Sequence, residues 1–430
     1  MFAGFRGVTQ SQDSDALGSA PVGKPLIASI RAWSRRRKVV TSLVAVLVVL
    51  ALYVGISLGV FIGRHPDDPF QQNVATWARD HQLGFIVNRM ERWMHSKPPS
   101  SKPAESLALD VSDTVQDLPA STAPSTVPPG NSVPDESTPV TTAAATTTTD
   151  PTPAALATPV DPVIEGEGQW RPLVSLGGVP VIWATSVRPL SDYGSVVATA
   201  AAIDTERLHA GLFNGPLIPG KRGWNNGSSV MKAAVPSLVA TFNGGFRMEH
   251  FKGGYITEGR TIRKMRDNEA TLAIDRNGRL VLGVWGKDLR DDGTWVSLRQ
   301  NLPPVVMDGE VSIKKFPGTY WGDDFHNVTF TYRSAVCSLA DGRLMYVAVG
   351  KVDIELLGKA LVSMGCITGM QLDINGNWPS FATYEGFGLA KRTPVLLDKR
   401  MGNPRRYLRK SDKDFFAFFD PATLPNGIVE

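Results

Sequence analysis

Three clusters of polar residues stand where apolar runs of the sequence begin or end. At such positions a rigid sheet can present a side chain to a cleft. The first cluster contains Asn243 with the paired glycines Gly244 and Gly245, the second is centred on Arg333, and the third on Asp373. Their placement makes all three clusters candidates for binding or catalysis.

The first cluster has the residue types of a sugar-binding turn. Paired glycines such as Gly244 and Gly245 let a backbone approach a ligand closely, and the amide of Asn243 can donate to and accept from a hydroxyl group. The alternative is a turn that requires positive φ. The residues alone favour that turn.

The second cluster places Arg333 at the start of an apolar run. A guanidinium group binds phosphate through two parallel hydrogen bonds and stays charged at physiological pH. The alternative is a solvent-exposed arginine on an edge strand, which the residue by itself favours.

The third cluster follows the segment GMQLDI and contains Asp373, Asn375 and Trp378. A carboxylate and an amide two residues apart could position water, exchange a proton or bind a hard divalent cation, so the cofactor stays unknown with a divalent cation as one option. The alternative is an Asx turn. The sequence has no Ser-His-Asp order, HExxH motif or EF-hand loop to support a serine hydrolase, zincin or calcium sensor.

Two similar hairpins are predicted to position these clusters. Residues 269–286 and 333–350 each contain an apolar run, an Asn-Gly or Asp-Gly turn and a second apolar run. A helix capped by Asp353 and ended by Gly365 is predicted to follow the second hairpin. The expected fold is α+β (mixed α/β), with twisted sheets built from two similar hairpin units and a few helices.

A membrane-spanning helix is predicted for residues 39–63, which carry no charge and are long enough to cross a bilayer. The net charge of +4 and the pI near 9.0 reflect in part the basic residues that precede this segment. Membrane topology explains them better than a nucleic-acid partner, and none is expected. Residues 1–38 are therefore predicted to be cytoplasmic, and the remainder is predicted to lie outside the cytoplasm.

Three regions are expected after the span. In residues 64–95, apolar residues at approximately helical spacing predict an amphipathic helix beside the membrane. Residues 96–165 are rich in Pro, Thr and Ser and predict a disordered linker, because such a segment buries too little apolar surface to offset its ordering entropy. If extended, this linker could reach on the order of 200 Å. Residues 166–430 predict the globular domain, in which Cys337 and Cys366 could form a disulfide or remain two free thiols.

Several motifs together resemble the phosphodiester glycosidase family, to which the lysosomal uncovering enzyme belongs. They are, in chain order, AxFNGGF, GGYITEGRTI, PPVVMDGEV, YRSAV with ADGRLMYVAV, and MQLDIN. The similarity covers roughly residues 170–381 and is closest to a membrane-anchored branch found in actinobacteria. Where better-studied members have an Asp followed by three glycines and a Ser, this chain has Asp373, Ile374, Asn375, Gly376 and Asn377.

The resemblance implies an extracytoplasmic hydrolase that cleaves a sugar phosphodiester or related glycan linkage in the cell envelope. It implies that Asn243, Arg333 and Asp373 are catalytic and line one cleft. It also implies that Gly244 and Gly245 bind the substrate. Asn375 and Trp378 are predicted to bind the substrate as well, although they lie in the loop where this chain departs from the family pattern and the substrate contacts of the family do not carry over. The alternative is a glycan-binding or cell-wall-organising module on the same fold without turnover, and a structural interaction protein is a third hypothesis.

Overall fold

The chain divides into two compact units, residues 1–64 and 65–430. The computed structural model describes residues 25–64, 70–109, 116–118, 152–220, 223–322, 329–376, 378–386 and 392–429. Much of the predicted cytoplasmic tail and the central part of the predicted linker, residues 119–151, lie outside the described residues.

The first unit contains one long helix, α1 (Pro25–Arg64). A proline is favourable at the first helical position because its missing N–H would have no partner there. From Lys38 to Arg64 the helix is long and apolar enough to cross a membrane, and none of that stretch is buried. α1 therefore includes the predicted span and begins earlier in the chain.

Two short helices, α2 (Phe70–Asp80) and α3 (Gly84–Met94), begin the second unit. They replace the single helix predicted for residues 64–95. Between them Gln82 adopts a φ of 62°, a left-handed conformation that interrupts a helix. Trp77 and Val87 are buried, so each helix has a packed face.

Three sheets make up most of the second unit, with α4 (Ile354–Ser363) as a further helix. Among the described residues, all strand pairs are antiparallel except β1 (Gln116–Leu118) with β2 (Arg171–Leu176), and the fold is mixed α+β as predicted. Short 3-10 helices lie at Ser191–Tyr193, Val235–Ser237, Ile313–Lys315 and Arg406–Leu408. The strands are β1 (Gln116–Leu118), β2 (Arg171–Leu176), β3 (Val179–Val187), β4 (Ala198–Ile203), β5 (His209–Phe213), β6 (Leu238–Asn243), β7 (Tyr255–Thr257), β8 (Arg260–Arg263), β9 (Ala270–Asp275), β10 (Leu280–Val284), β11 (Trp295–Gln300), β12 (Val306–Met307), β13 (Glu310–Val311), β14 (Thr331–Ser338), β15 (Leu344–Val352), β16 (Thr368–Ile374), β17 (Phe381–Glu385), β18 (Thr393–Leu396) and β19 (Phe415–Phe419).

Both predicted hairpins are confirmed, in different sheets. β14 and β15 lie inside a nine-stranded sheet of order β1-β2-β3-β4-β15-β14-β16-β12-β13. β9 and β10 form one edge of a five-stranded sheet of order β10-β9-β11-β7-β8. The third sheet has the order β18-β17-β6-β19-β5. An Asn-Gly or Asp-Gly turn was sufficient to locate each hairpin because both strands are sequence neighbours.

The core brings the three sheets together. Phe242 of β6, Leu272 of β9 and Leu372 of β16 belong to one buried cluster, although each comes from a different sheet. A second cluster includes Val347 of β15 and Leu357 of α4, on the other side of the nine-stranded sheet. Apolar side chains thus cover both faces of that sheet at its centre, which fixes the strands that reach the candidate site.

The helix predicted after the second hairpin is α4. The carboxylate of Asp353 accepts a hydrogen bond from the backbone N–H of Leu356 at 2.8 Å, which is the N-cap geometry expected. Just beyond the helix Gly365 has a φ of 82°, the left-handed conformation that commonly ends a helix. Leu357 and Leu361 are buried, as the predicted apolar face requires.

Cys337 and Cys366 are joined by a disulfide, with their Cα atoms 5.3 Å apart. Both residues are buried. The bond links β14, the strand of Arg333, to the turn just before β16, the strand of Asp373. The choice between a disulfide and two free thiols is therefore decided in favour of the disulfide.

The two ends of the predicted linker pack on the globular body. The N–H of Ala104 donates to the carbonyl of Gly194 at 2.9 Å, and the N–H of Leu156 donates to the carbonyl of Gly168 at 2.9 Å. Residues 96–109 and 152–165, which were predicted to belong to a disordered linker, therefore form hydrogen bonds to the globular body. Their hydrogen-bond partners are mostly distant in sequence, so composition alone gave no sign of this packing.

Candidate functional site

The C-terminal ends of β6 and β16 meet, although these strands belong to different sheets. The N–H of Asp373 donates to the carbonyl of Gly244 at 3.2 Å. The hydroxyl of Ser334 on β14 donates to the carbonyl of Asp373 at 2.8 Å and accepts from the amide of Asn243 at 3.1 Å. The structure thus brings the Asn243 and Asp373 clusters together.

Asn243 is a buried hydrogen-bonding centre. Its side-chain oxygen accepts from the Tyr346 hydroxyl at 2.9 Å and from the Ser380 N–H at 2.9 Å. Its side-chain nitrogen donates to the Gly244 carbonyl at 2.9 Å and to Ser334 Oγ. These bonds use the capacity of an amide side chain, so Asn243 positions the surrounding backbone, and a sugar hydroxyl would have to displace one of them.

Gly244 and Gly245 are required by close packing. Neither has a positive φ, so the left-handed turn considered as the alternative is not what selects glycine. A Cβ at Gly244 would lie 2.6 Å from the carboxyl carbon of Asp414, and one at Gly245 would lie 2.5 Å from the amide carbon of Asn301. Both distances are too short for any larger residue without movement of a buried neighbour.

Arg333 is buried, and protein acceptors surround its guanidinium. Nε donates to the Val352 carbonyl at 3.0 Å, and one terminal nitrogen donates to the Trp321 carbonyl at 3.0 Å and to Gln371 Oε1 at 2.8 Å. The other terminal nitrogen donates to the Thr329 carbonyl at 3.0 Å. The prediction that Arg333 lines the cleft and binds phosphate is therefore wrong in this structure, as is the edge-strand alternative.

The alternation of β14 explains why Arg333 is absent from the site. Adjacent residues of a strand point to opposite faces of the sheet. Ser334 contacts Asn243, so Arg333 points to the opposite face, where it contacts Gln371 of β16. The sequence correctly placed Arg333 near the start of a strand, but the prediction that its side chain shares a cleft with Asn243 and Asp373 does not hold.

A bulge in β16 gives Asp373 the other orientation. Arg333 pairs with Ile374 and Ala335 pairs with Gln371, so two steps on β14 face three steps on β16. Under strict alternation Asp373 would share the face of Gln371 and approach Arg333. With the extra residue in β16, the Asp373 carboxylate instead contacts Lys413, which lies just before β19.

The cation beside Asp373 is Lys413, which lies just before β19. Its ammonium group forms an ion pair with Asp373 Oδ2, and both side chains are largely buried. The ammonium nitrogen also lies 3.8 Å from the ring centre of Trp378. Burial lowers the pKa of Lys413, and the Asp373 carboxylate opposes this lowering.

The loop after β16 places Trp378 over this ion pair. Asn375 has a φ of 82°, and its N–H donates to the Tyr332 carbonyl at 2.8 Å. The N–H of Trp378 donates to the Asn375 carbonyl at 3.1 Å, and the guanidinium of Arg406 lies 5.3 Å from the Trp378 ring centre. The half-buried Trp378 therefore has two cationic groups near its ring, and Asn375 shapes the loop that carries it.

A second ion pair, between Asp414 and Arg299, lies next to the pair of Lys413 and Asp373. Asp414 Oδ2 accepts from Arg299 Nε at 2.7 Å, and both side chains are fully buried. Burial raises the pKa of Asp414, whereas Arg299 and Lys413 lower it. The other carboxylate oxygen of Asp414 has no hydrogen-bond partner among the described residues. Two aspartates and two cations thus alternate around the start of β19, which limits the net buried charge.

The sequence analysis missed Lys413, Asp414 and Arg299. Lys413 and Asp414 immediately precede the apolar run 415–419, and Arg299 lies near the end of β11. The criterion that selected the first three clusters, polar residues at the border of an apolar run, would have selected these residues as well.

No group of three or more His, Cys, Asp or Glu residues in the described ranges could hold a metal ion. The Asp373 carboxylate contacts a lysine instead.

Comparison with known proteins finds distant structural similarity. No sequence-family model and no curated protein sequence matches the chain. One similar structure is the zebrafish N-acetylglucosamine-1-phosphodiester alpha-N-acetylglucosaminidase catalytic domain, auto-inhibited by its pro-peptide. It has 17% identity and a TM-score of 0.39, with coverage of 56% of this chain and 84% of that chain.

Two further solved structures are similar at the same level. A hypothetical protein from Synechocystis has 10% identity and a TM-score of 0.39, covering 57% of this chain and 63% of its own. A putative exported protein from Burkholderia pseudomallei has 12% identity and a TM-score of 0.33, covering 54% of this chain and 75% of its own.

Proposed function

We propose that this chain is a membrane-anchored extracytoplasmic hydrolase that cleaves a sugar phosphodiester or related glycan linkage in the cell envelope. The observation that carries the proposal is the buried pair of Asp373 and Lys413 beside Trp378. A carboxylate can exchange a proton, an ammonium can bind a phosphate oxygen, and an indole offers a flat apolar surface to a sugar ring.

The proposed reaction begins when the substrate phosphate competes with Asp373 for the ammonium of Lys413. The freed carboxylate accepts a proton from water as the water oxygen bonds to the anomeric carbon. The bond between that carbon and the phosphate oxygen breaks, and its electron pair stays on the phosphate. Lys413 stabilises the resulting charge. Asp373 then returns the proton to the phosphate or to solvent, which yields a free sugar and a phosphomonoester.

Two features support the proposed location. α1 is long and apolar enough to cross a membrane, and the basic residues 35–38 stand on the N-terminal side of its apolar stretch. Such residues favour the cytoplasmic side, which would place the C-terminal unit outside. The disulfide between Cys337 and Cys366 fits an oxidising compartment. A reporter fused after Glu430 tests the orientation, because activity in the cytoplasm would contradict it.

A glycan-binding module without turnover is the second candidate function. The hydrogen bonds of Arg333 favour this candidate. The family resemblance implies that Arg333 binds the phosphate, but its guanidinium donates to protein acceptors away from the site. In this case Trp378 and Lys413 would bind a saccharide or its phosphate, and Asp373 would only hold the lysine in place.

Hydrolysis of a chromogenic sugar phosphodiester by the full chain in mild detergent separates the two candidates. We expect turnover by the unaltered protein and none by Asp373→Asn. The matched control is Asp412→Asn, which changes an exposed aspartate next to Lys413 and should leave turnover unchanged. Binding without turnover by the unaltered chain would support the second candidate, and absence of both would contradict both.

A further inference from the structure

The surface of the globular body beside the end of β3 holds the segment that precedes the Pro/Thr-rich run. The N–H and the hydroxyl of Ser195 both donate to the carbonyl of Ser100, at 3.2 and 2.7 Å. Further along, Leu109 forms an isolated bridge with Asp398. Residues 100–109 are thus bound at separate points of the body.

The segment that follows the Pro/Thr-rich run is held on the same body. The indole N–H of Trp170 donates to the carbonyl of Ala154 at 3.0 Å. Leu156 packs against the buried cluster that includes α4, and Val160 is buried. The chain is therefore bound to the body both before it enters residues 119–151 and after it leaves them.

One buried guanidinium contacts both segments. Arg188, directly after β3, donates to the carbonyl of Ala104 at 3.4 Å on one side and to those of Val160 and Pro162 at 3.1 and 2.6 Å on the other. Glu167 neutralises it through hydrogen bonds of 2.9 and 2.6 Å, and both side chains are almost completely buried. We call Arg188, Glu167 and the three carbonyls the Arg188 clasp.

We infer that the Pro/Thr-rich run is an insertion within the globular domain, and that the surface around Arg188 is an intramolecular docking site for residues 95–109. A linker between two independent parts would be bound at one end only. Here the N-terminal side also joins the body through His95 and Phe330, whose backbone atoms form a hydrogen bond of 3.0 Å. A cut within residues 119–151 therefore leaves one domain in two associated pieces. The inference is independent of the proposed function.

The test replaces residues 141–149, the sequence TTAAATTTT, with the recognition sequence of a site-specific protease in the full chain. After cleavage in mild detergent, we expect the two pieces to elute together on size exclusion. Separate elution would overturn the inference. Resistance of the inserted sequence to the protease would also overturn it, because an insertion that leaves the body is accessible at that point.

Variants of the cleaved chain test the role of the clasp. Arg188→Ala should lower the urea concentration at which the two pieces separate, because three carbonyls and a buried carboxylate lose their donor. The matched control is Arg207→Ala, which removes an exposed arginine. Equal separation points for Arg188→Ala and the unaltered chain would overturn the assignment of the clasp.

Discussion

Two neighbours favour the charged form of Lys413 through different physical effects. The Asp373 carboxylate attracts the ammonium directly, and the face of Trp378 carries the negative side of its ring quadrupole. Burial acts against both and lowers the pKa of Lys413. The charge at the site therefore depends on the pair, and a change at Asp373 also weakens the charge on Lys413.

The first prediction concerns the affinity of this lysine for phosphate. Lys413→Met should weaken binding of a sugar phosphate about tenfold to a hundredfold, because it removes one charge-assisted contact worth about 1.5 to 3 kcal/mol. Titration calorimetry with the full chain measures the change. Lys410→Met is the control, since Lys410 is exposed three residues earlier. Unchanged affinity in Lys413→Met would contradict the proposed role.

The second prediction assigns Arg333 to stability. Arg333→Ala should lower the free energy of unfolding by about 3 kcal/mol or more, because several buried acceptors lose their donor. Arg333→Lys should recover only part of this loss, since an ammonium cannot reproduce the planar fork of a guanidinium. Urea denaturation measures both variants against Arg405→Ala, an exposed control. A midpoint of Arg333→Ala equal to that of the control would contradict this assignment.

At the scale of elements, one extra residue in β16 decides which side chains form the site. Where this residue is inserted, Asp373 points away from Gln371 and Arg333. Its carboxylate contacts Lys413 just before β19. The site then combines strand ends from two sheets: β16 from the nine-stranded sheet and β6 with β19 from a five-stranded sheet. Its geometry is consequently a property of how the sheets pack together.

Local patterns in the sequence predicted the elements better than the site. The two hairpins and α4 were predicted because turn residues, apolar periodicity and the Asp353 cap all lie within the element concerned. The sequence also placed Asn243 and Asp373 at strand ends. It could not show that Asp373 and Arg333 lie on different faces, because the register shift between β14 and β16 depends on pairing across the sheet.

The third prediction tests the cap that begins α4. Asp353→Ala should cost about 1 kcal/mol of stability, because the N–H of Leu356 loses its side-chain acceptor. Asp353→Asn should recover most of this loss, since asparagine is an equally good N-cap residue. Thermal unfolding followed by circular dichroism compares the two variants. A larger loss in Asp353→Asn than in Asp353→Ala would show that capping is not the main role of this side chain.

At the scale of the whole molecule, composition and tertiary contacts give different domain boundaries. Pro, Ser and Thr predicted a linker over residues 96–165 because they offer little apolar surface. The structure holds both ends of that region through backbone hydrogen bonds and the Arg188 clasp, none of which requires large apolar side chains. A fragment that begins at Gln169 would lack Glu167 and the segments that Arg188 contacts, so experiments require the longer chain.

The clasp also has an electrostatic signature at Glu167. Burial alone raises the pKa of this carboxyl group, but hydrogen bonds from Arg188 and from the N–H of Ile164 lower it by more, so that its pKa lies below the ordinary value of 4.5. A carboxyl group with a lowered folded-state pKa stabilises the fold fully above its unfolded-state pKa. That contribution is lost as the pH falls through the folded-state value.

The last prediction follows from the lowered pKa of Glu167. The urea midpoint of the second unit should fall as the pH drops below 4.5, the ordinary pKa of the group, because the unfolded state then binds a proton more readily than the folded state. Glu167→Gln should lower the midpoint at pH 7, since Arg188 loses its buried counter-charge, and should show a smaller further fall in acid. Glu206→Gln, an exposed control, should keep the unaltered pH dependence. If the fall in acid were as large in Glu167→Gln as in the unaltered chain, other carboxyl groups would account for it and the clasp would not.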